Sequence, residues 1–271
     1  MTQPLFKNLS EISRRLNTAP HILLFLDFDG TLAPIVEQPE MAHLPPETKE
    51  LLVRLSQESK MTVAIISGRA FADIRARVGI PSLIYAGNHG LEICGPGFHF
   101  IHSKAAAHQE TLRQLSEHLA ARLRHLAGVE VEPKGLTTSI HYRRAAPAVV
   151  PQVVEIVKEA VSNQYRLFRL TTGKMVYEIR PRVDWHKGAA ARWIRDRLGD
   201  HQPLAIYLGD DETDENAFVE LQQELTVKVG PAMLTLAHYH LADTDEVRQF
   251  LQWLEMTMNA KISNAEFTLE R

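Results

Sequence analysis

Two acidic stretches hold the residue types most able to do chemistry. Asp27 and Asp29 stand two apart in Asp27-Phe28-Asp29-Gly30-Thr31, where the short apolar run that starts at Ile22 (ILLFLDF) gives way to acid and glycine. A lone Asp-Gly is ordinary turn chemistry. A paired-acid loop directly after a buried strand is more specific, because open α/β sheets bind ligands at that strand edge. The second stretch, Gly209-Asp210-Asp211-Glu212-Thr213-Asp214-Glu215, follows the apolar run LAIYL in the same way. The helix dipole favours an acid in a first turn by about 0.3–1 kcal/mol. That accounts for Asp214 or Glu215, but not for five acids in seven residues. Facing carboxylate clusters repel unless a cation lies between them. An all-oxygen donor set without thiolates points to Mg²⁺.

Two further signals supply the opposite polarity. Lys187, in Asp184-Trp185-His186-Lys187-Gly188, falls in the first turn of an expected helix, where its charge opposes the dipole. A surface lysine needs no explanation there, whereas binding an anion at the same sheet edge would give it one. Ser67, in Ser67-Gly68-Arg69, follows a second apolar run and can offer a hydroxyl and backbone N–H groups to phosphate oxygens. Together these residues provide a nucleophile, a second acid, a metal cage, a cation and a hydroxyl. Phosphoryl transfer needs those parts, since it relies mostly on positioning and charge stabilisation. No GxxxxGK[ST] loop is present, which excludes a P-loop nucleotide mechanism.

The elements that must position these residues can be read from the pattern. Strands over Ile22 to Phe28, Thr62 to Ile66 and Leu83 to Ala86 alternate with helices from Glu47 to Glu58 and from Phe71 to Val78. The alternation resumes with a helix from Lys187 to Leu198, a strand from Leu204 to Leu208, a helix from Thr213 to Gln222 and a strand from Leu225 to Val229. Continuous apolar strands of this kind are buried on both faces of a parallel sheet. The fold class is therefore α/β, a doubly wound parallel-sheet core. A helix from Val247 to Met258 should close the chain and leave a loose polar tail, and residues 1–20 read as a polar outer helix.

Residues 104–180 break this pattern. A leucine-spaced helix (Leu112, Leu115, Leu119, Leu123, Leu126) leads into an α-β-β-α-β-β order. We read an inserted α/β domain there, with 1–103 and 181–271 forming a discontinuous core. In Thr137 to Arg143, Ser139, His141 and Arg143 alternate onto one strand face, and Glu178 and Arg180 share a face of the last strand.

Composition narrows the class. With 271 residues, 45% of them hydrophobic and 23% charged, the chain is neither disordered nor a disulfide scaffold. Its 30 basic and 33 acidic residues leave a net charge of -3, so no polycation is present for nucleic acid. No stretch approaches the roughly 18 apolar residues of a membrane span. One cysteine, Cys94, and the absence of an apolar leader suggest a cytoplasmic protein. A small-molecule substrate is expected, without nucleic-acid or membrane partners, and a monomer is the working expectation.

DFDGT, SGR, the isolated lysine and GDDETD, in that order, resemble the haloacid dehalogenase (HAD) superfamily of phosphatases. The resemblance implies a HAD-like Rossmannoid core with an inserted C2-type cap. More narrowly, DFDGTLAP, GNHGLE, a lysine-glycine ahead of HYR, GKMVYEIRP and GDDETDE resemble the trehalose-6-phosphate phosphatases, from about residue 20 to 255. The resemblance implies hydrolysis of trehalose 6-phosphate through an aspartyl-phosphate. Asp27 would be the nucleophile and Asp29 the acid and base, while Ser67 and Lys187 would bind the phosphoryl oxygens. Mg²⁺ would be held by Asp27, the Asp29 carbonyl and Asp210, with Asp214 and Asp211 in the outer shell. Glu178, Lys134, His141, Arg143 and Lys174 would meet the sugar from the cap, and Asn88 and His89, in GNHG, from the core. Another sugar-phosphate phosphatase, a phosphohexomutase or a non-catalytic sensor are the competing readings.

Overall fold

A computed structural model describes residues 2–198 and 202–269, with side chains through 259. In chain order it opens with β1 (Gln3–Pro4), α1 (Leu9–Thr18), β2 (Ile22–Leu26), α2 (Pro46–Gln57), β3 (Met61–Ile66) and α3 (Phe71–Val78). Then come β4 (Ile84–Gly87), β5 (Glu92–Gly95), β6 (Phe98–Ile101), α4 (Ser103–Ala107), α5 (Gln109–Leu123), β7 (Glu130–Pro133) and β8 (Thr138–His141). The rest is α6 (Val150–Ser162), β9 (Phe168–Gly173), β10 (Val176–Pro181), α7 (Lys187–Arg197), β11 (Leu204–Gly209), α8 (Glu212–Glu220), β12 (Leu225–Val229), β13 (Tyr239–Leu241) and α9 (Thr244–Leu269). The chain divides into two compact units. One comprises Met1–Gly68, Ala72–His99 and Trp185–Arg271, and the other comprises Arg69–Phe71 and Phe100–Asp184. The second unit is thus longer than the expected 104–180 at both ends.

The first unit is built on a nine-stranded sheet of order β1-β13-β12-β11-β2-β3-β4-β5-β6. The pairs from β1 to β4 are parallel, and β4 to β5 is antiparallel. Every residue of β2 and β11 is buried, which explains their unbroken apolar sequence. The strand order reverses between β2 and β11, so a topological switch point opens beside their carboxyl ends. Asp27 and Asp210 immediately follow those two ends.

Several elements escaped the sequence reading. Strands β5 and β6 flank the short turn Gly95-Pro96-Gly97 and are half-exposed, so they carry little apolar signal. Strands β1 and β13 have two and three residues, too few for a periodicity. The N-terminal segment holds the expected polar helix, α1, preceded by the short strand β1. It pairs through β1 with β13 and buries Leu5, Ile12 and Leu16 in this chain's own core. Helix α9 runs from Thr244 to Leu269, past the Met258 at which the sequence pattern ended it. Among the described residues no helix is long and apolar enough to cross a membrane.

The second unit is a four-stranded antiparallel sheet, β7-β8-β10-β9, with α5 and α6 on one face. The leucine spacing of α5 puts Leu112, Leu115, Leu119 and Leu123 against Val153, Val157 and Val161 of α6 and Ile140, Phe168 and Ile179 of the sheet. Each such side chain contributes about 1.5–3 kcal/mol on burial. The alternate residues of the strands, Ser139, His141, Glu178 and Arg180, form the opposite, polar face.

Candidate active site

The parallel register delivers Asp27 to the end of β2, where its N–H donates to the Leu208 carbonyl of β11 at 3.0 Å. Its carboxylate is buried and accepts from Lys187 Nζ at 2.9 Å. Lys187 is 3% exposed and also donates to Asp214 Oδ1 at 2.8 Å. Tyr207, two residues before the end of β11, donates its hydroxyl to the same oxygen at 2.8 Å. The other Asp214 oxygen accepts from the Asp211 N–H at 3.0 Å. Both Asp214 oxygens are therefore engaged in holding neighbours. Lys187, though unfavourable to the helix dipole, is fixed by two carboxylates at the start of α7. His186 caps that helix, its Nδ1 accepting from the Ala189 N–H at 3.2 Å.

Two glycines let the acidic turns approach one another. Gly30 has φ +78°, and a Cβ there would collide with the Asp210 carboxylate. A Cβ at Gly209 would likewise strike Asp214. Lys228 of β12 donates to the Asp210 backbone carbonyl and braces the same turn.

Charge is unbalanced in this cluster. Burial is the strongest influence on Asp27 and pushes its carboxyl well above the usual range, with Lys187 opposing and Asp214 and Asp210 adding to the rise. Burial also works against the Lys187 charge, but Asp214 and Asp27 outweigh it and hold the ammonium well above the usual lysine range. Tyr207 is raised well above an ordinary phenol by burial, then by Asp214 and Asp27. Ligand atoms of Asp27, Asp210 and Asp214 lie within 4.8 Å of one another. Three carboxylates gathered within that distance, with oxygen donors only, suit a hard divalent cation. Both Asp214 oxygens are committed to Lys187, Tyr207 and Asp211, so within this trio Asp214 is the least able to turn an oxygen toward a metal. The side chains of Asp29 and Asp211 are not in that cluster. Asp29 bridges to Ala33 across the tight Gly30 turn, and Asp211 is the N-cap of α8.

Ser67 and the Asn88-His89 pair meet at the ends of β3 and β4. Ser67 is buried, its N–H donates to Ala86 O at 2.9 Å, and its carbonyl accepts from the His89 N–H at 2.9 Å. Asn88 (φ 50°) and His89 (φ 57°) both adopt left-handed backbone, which costs non-glycine residues energy and concentrates at functional sites. The turn sets the His89 ring over the backbone of Gly68. Trp185 Nε1 donates to Gly90 O at 2.7 Å and anchors that turn to the segment leading into α7.

On the polar face of the second unit, Glu178 accepts from Thr137 Oγ1 at 3.3 Å and lies 3.7 Å from Lys134 Nζ. His141 Nε2 pairs with Glu132 Oε2 at 2.8 Å, and Glu132 lies 3.9 Å from Lys134. Arg143 donates to the Lys174 carbonyl at 3.0 Å. All five sequence-selected residues thus gather on or beside one face. Glu132, Tyr207, Lys228 and His186 were not among the residues singled out. The alternation Glu130, Glu132, Lys134 carried a signal for Glu132. Nothing in LAIYL distinguishes Tyr207 from a core aromatic.

A carboxylate pair at the switch point, a buried lysine and this sheet order define a class: the fold is that of haloacid dehalogenase-like hydrolases. A solved structure of one, from Bacteroides thetaiotaomicron, aligns at TM-score 0.61 over 86% of this chain and 98% of its own, with 14% identity. The chain belongs to the trehalose-phosphatase family, whose profile matches residues 25–261. A trehalose-phosphate phosphatase of Mycobacterium tuberculosis is 39% identical over 249 residues, 90% of this chain and 60% of the relative. This chain therefore spans about three-fifths of that protein's length. The crystal structure of a trehalose-6-phosphate phosphatase related protein aligns at TM-score 0.78 with 28% identity, over 88% of this chain and 99% of its own.

Proposed function

We propose that this chain is a phosphatase that hydrolyses trehalose 6-phosphate to trehalose and inorganic phosphate. The observation that carries the reading is the buried Lys187 bridging Asp27 and Asp214 at the switch point. An Asp27 oxygen attacks phosphorus, the bond from phosphorus to the sugar oxygen breaks, and Asp29 gives that oxygen its proton. Water then attacks the aspartyl-phosphate, losing a proton to Asp29, and the bond from Asp27 to phosphorus breaks. Lys187 and the Ser67 hydroxyl hold the phosphoryl oxygens through both steps, and Asp214 and Tyr207 hold Lys187. Asp27, the Asp29 carbonyl and Asp210 would hold Mg²⁺, which supplies positive charge that lets an anionic phosphate approach carboxylates. Asp214 and Asp211 support that set from outside it.

Sugar recognition is assigned to Glu178, Lys134, His141, Arg143 and Lys174 of the second unit, joined by Glu132. Glucose hydroxyls need paired donors and acceptors, and this set offers both. Residues 104–180 act in this reading as the domain that selects the substrate. The single free cysteine supports a cytoplasmic setting, and the enzyme acts as a monomer. The test is phosphate release from trehalose 6-phosphate, glucose 6-phosphate, sucrose phosphate and mannose phosphates. Preference for the first supports the reading. An isomeric sugar phosphate in place of free phosphate would identify a mutase.

A further inference from the structure

Arg169 and Arg180 stand directly opposite each other across the antiparallel pair β9 and β10. Opposed residues share a face, with Cβ atoms roughly 5 Å apart. Here that is the polar face carrying Glu178, away from Ile179 and the helices. Arg180 is 7% exposed. Among the described residues its one ion-pair partner is Glu178, 4.0 Å from Nε. The Nε of Arg169 is buried with no hydrogen-bond partner among the described residues.

Like charges directly opposite one another destabilise a sheet. Burial works against the Arg180 charge, Glu178 supports it, and the facing Arg169 works against it, with a net lowering of its pKa. A guanidinium does not shed its proton in a protein, so the conflict is not relieved by neutralisation. Nor do the local carboxylates relieve it. Glu178 is shared with Lys134 at 3.7 Å, and Glu132 lies between His141 at 2.8 Å and Lys134 at 3.9 Å. Among the described residues, the two facing guanidinium groups share no carboxylate between them.

We propose that Arg169 and Arg180 form a binding site for a phosphate-class oxyanion on the sheet of the second unit. Two guanidinium forks match the oxygen spacing of a tetrahedral oxyanion and donate charge-assisted hydrogen bonds to it. The anion satisfies the buried Nε of Arg169 and separates the two cations. The site uses none of the acidic cluster and stands whether or not the hydrolase reading holds.

The test is nuclear magnetic resonance of the full chain labelled with ¹⁵N-arginine, titrated with inorganic phosphate. The Arg169 Nε–H signal is assigned by its loss in Arg169→Gln. Phosphate is expected to move that signal along a saturable curve that chloride at equal ionic strength does not reproduce. Arg180→Gln should weaken the response on the order of tenfold. Arg166→Gln, at an exposed arginine nearby, should leave it unchanged. Arg169→Lys keeps the charge without the fork and guards against a variant that fails to fold. It should stay folded and still shift the Arg180 Nε–H signal, more weakly than the wild type does. Methylphosphonate identifies the source: equal binding assigns the phosphoryl end of a larger molecule, and weaker binding assigns the free ion. A response that chloride reproduces, or one undiminished in Arg180→Gln, overturns the site.

Discussion

The hydroxyl of Tyr207 and the carboxylate of Asp214 meet at 2.8 Å with both side chains fully buried, on the oxygen that also accepts from Lys187. Asp214 lies in the first turn of α8 and Tyr207 on β11, so the contact ties the helix to the strand that presents Asp210. Lys187 Nζ is held between Asp27 at 2.9 Å and Asp214 at 2.8 Å. Asp214 gives Lys187 a fixed post, and Tyr207 fixes Asp214.

Tyr207→Phe is therefore expected to keep the ring packing against Phe25 and Phe218 and to lose the hydrogen bond. Hydrogen bonds to charged groups contribute about 1.5–3 kcal/mol, so denaturant unfolding should show a loss of that order. Turnover should fall while the substrate KM changes little, because the defect lies in holding Lys187. An unchanged stability and turnover would remove Tyr207 from the positioning network.

Asp27→Asn should reduce phosphate release by about four orders of magnitude or more, since no nucleophile remains. Its effect on stability has the opposite sign. The folded Asp27 carboxyl titrates above its unfolded value, so its contribution is present below the unfolded pKa and is lost as pH rises through the folded pKa. In chelator, the wild type should lose stability relative to Asp27→Asn as pH climbs from acid toward neutral. Thermal unfolding of both proteins across that range measures the difference. Parallel curves would show that the buried carboxylate is not strained without its cation.

Lys187→Met removes the ammonium that bridges Asp27 and Asp214. Breaking a buried ion pair costs about 3–5 kcal/mol, because the partners remain buried and unpaired. Denaturant unfolding in chelator should show that loss, and added Mg²⁺ should recover part of it through Asp27 and Asp210. Lys187→Arg should not restore activity, because a planar fork cannot take the place of a point charge between Asp27 and Asp214. A metal-free Lys187→Met protein as stable as the wild type would place the lysine outside the charge balance.

The core was legible where burial writes itself into the sequence. Strand β2 is buried on both faces, so ILLFL carries no alternation, and the acids that follow it mark the sheet edge. Lys187 was legible for a related reason, as a charge set against a helix dipole. Strands β5 and β6 were not legible, because half-exposed residues around Gly95 and Gly97 leave no periodic trace. Tyr207 was hidden for the reverse reason. A buried strand is expected to be apolar, and its hydroxyl acquires a role only when the fold carries Asp214 back over β11. The left-handed turn at Asn88 and His89 was readable as Asn-Gly-type turn chemistry, but not as the support that sets His89 against Gly68.

Glu178 gives the sharpest separation of recognition from chemistry. It accepts from Thr137 Oγ1 and lies 3.7 Å from Lys134 Nζ, so it orients a donor and presents an acceptor on one face. Glu178→Gln keeps the shape but replaces one acceptor with a donor and removes the charge that holds Lys134. A site built to hydrogen-bond hydroxyls loses about a hundredfold or more when such a group is mispaired. Turnover of trehalose 6-phosphate should fall by that order. A small aryl phosphate has no sugar hydroxyls to bind, so its turnover should change by less than about threefold. The ratio of the two kcat/KM values is the measurement, because it cancels any general loss of folded enzyme. An equal fall for both substrates would move Glu178 from sugar recognition to the stability of its own sheet.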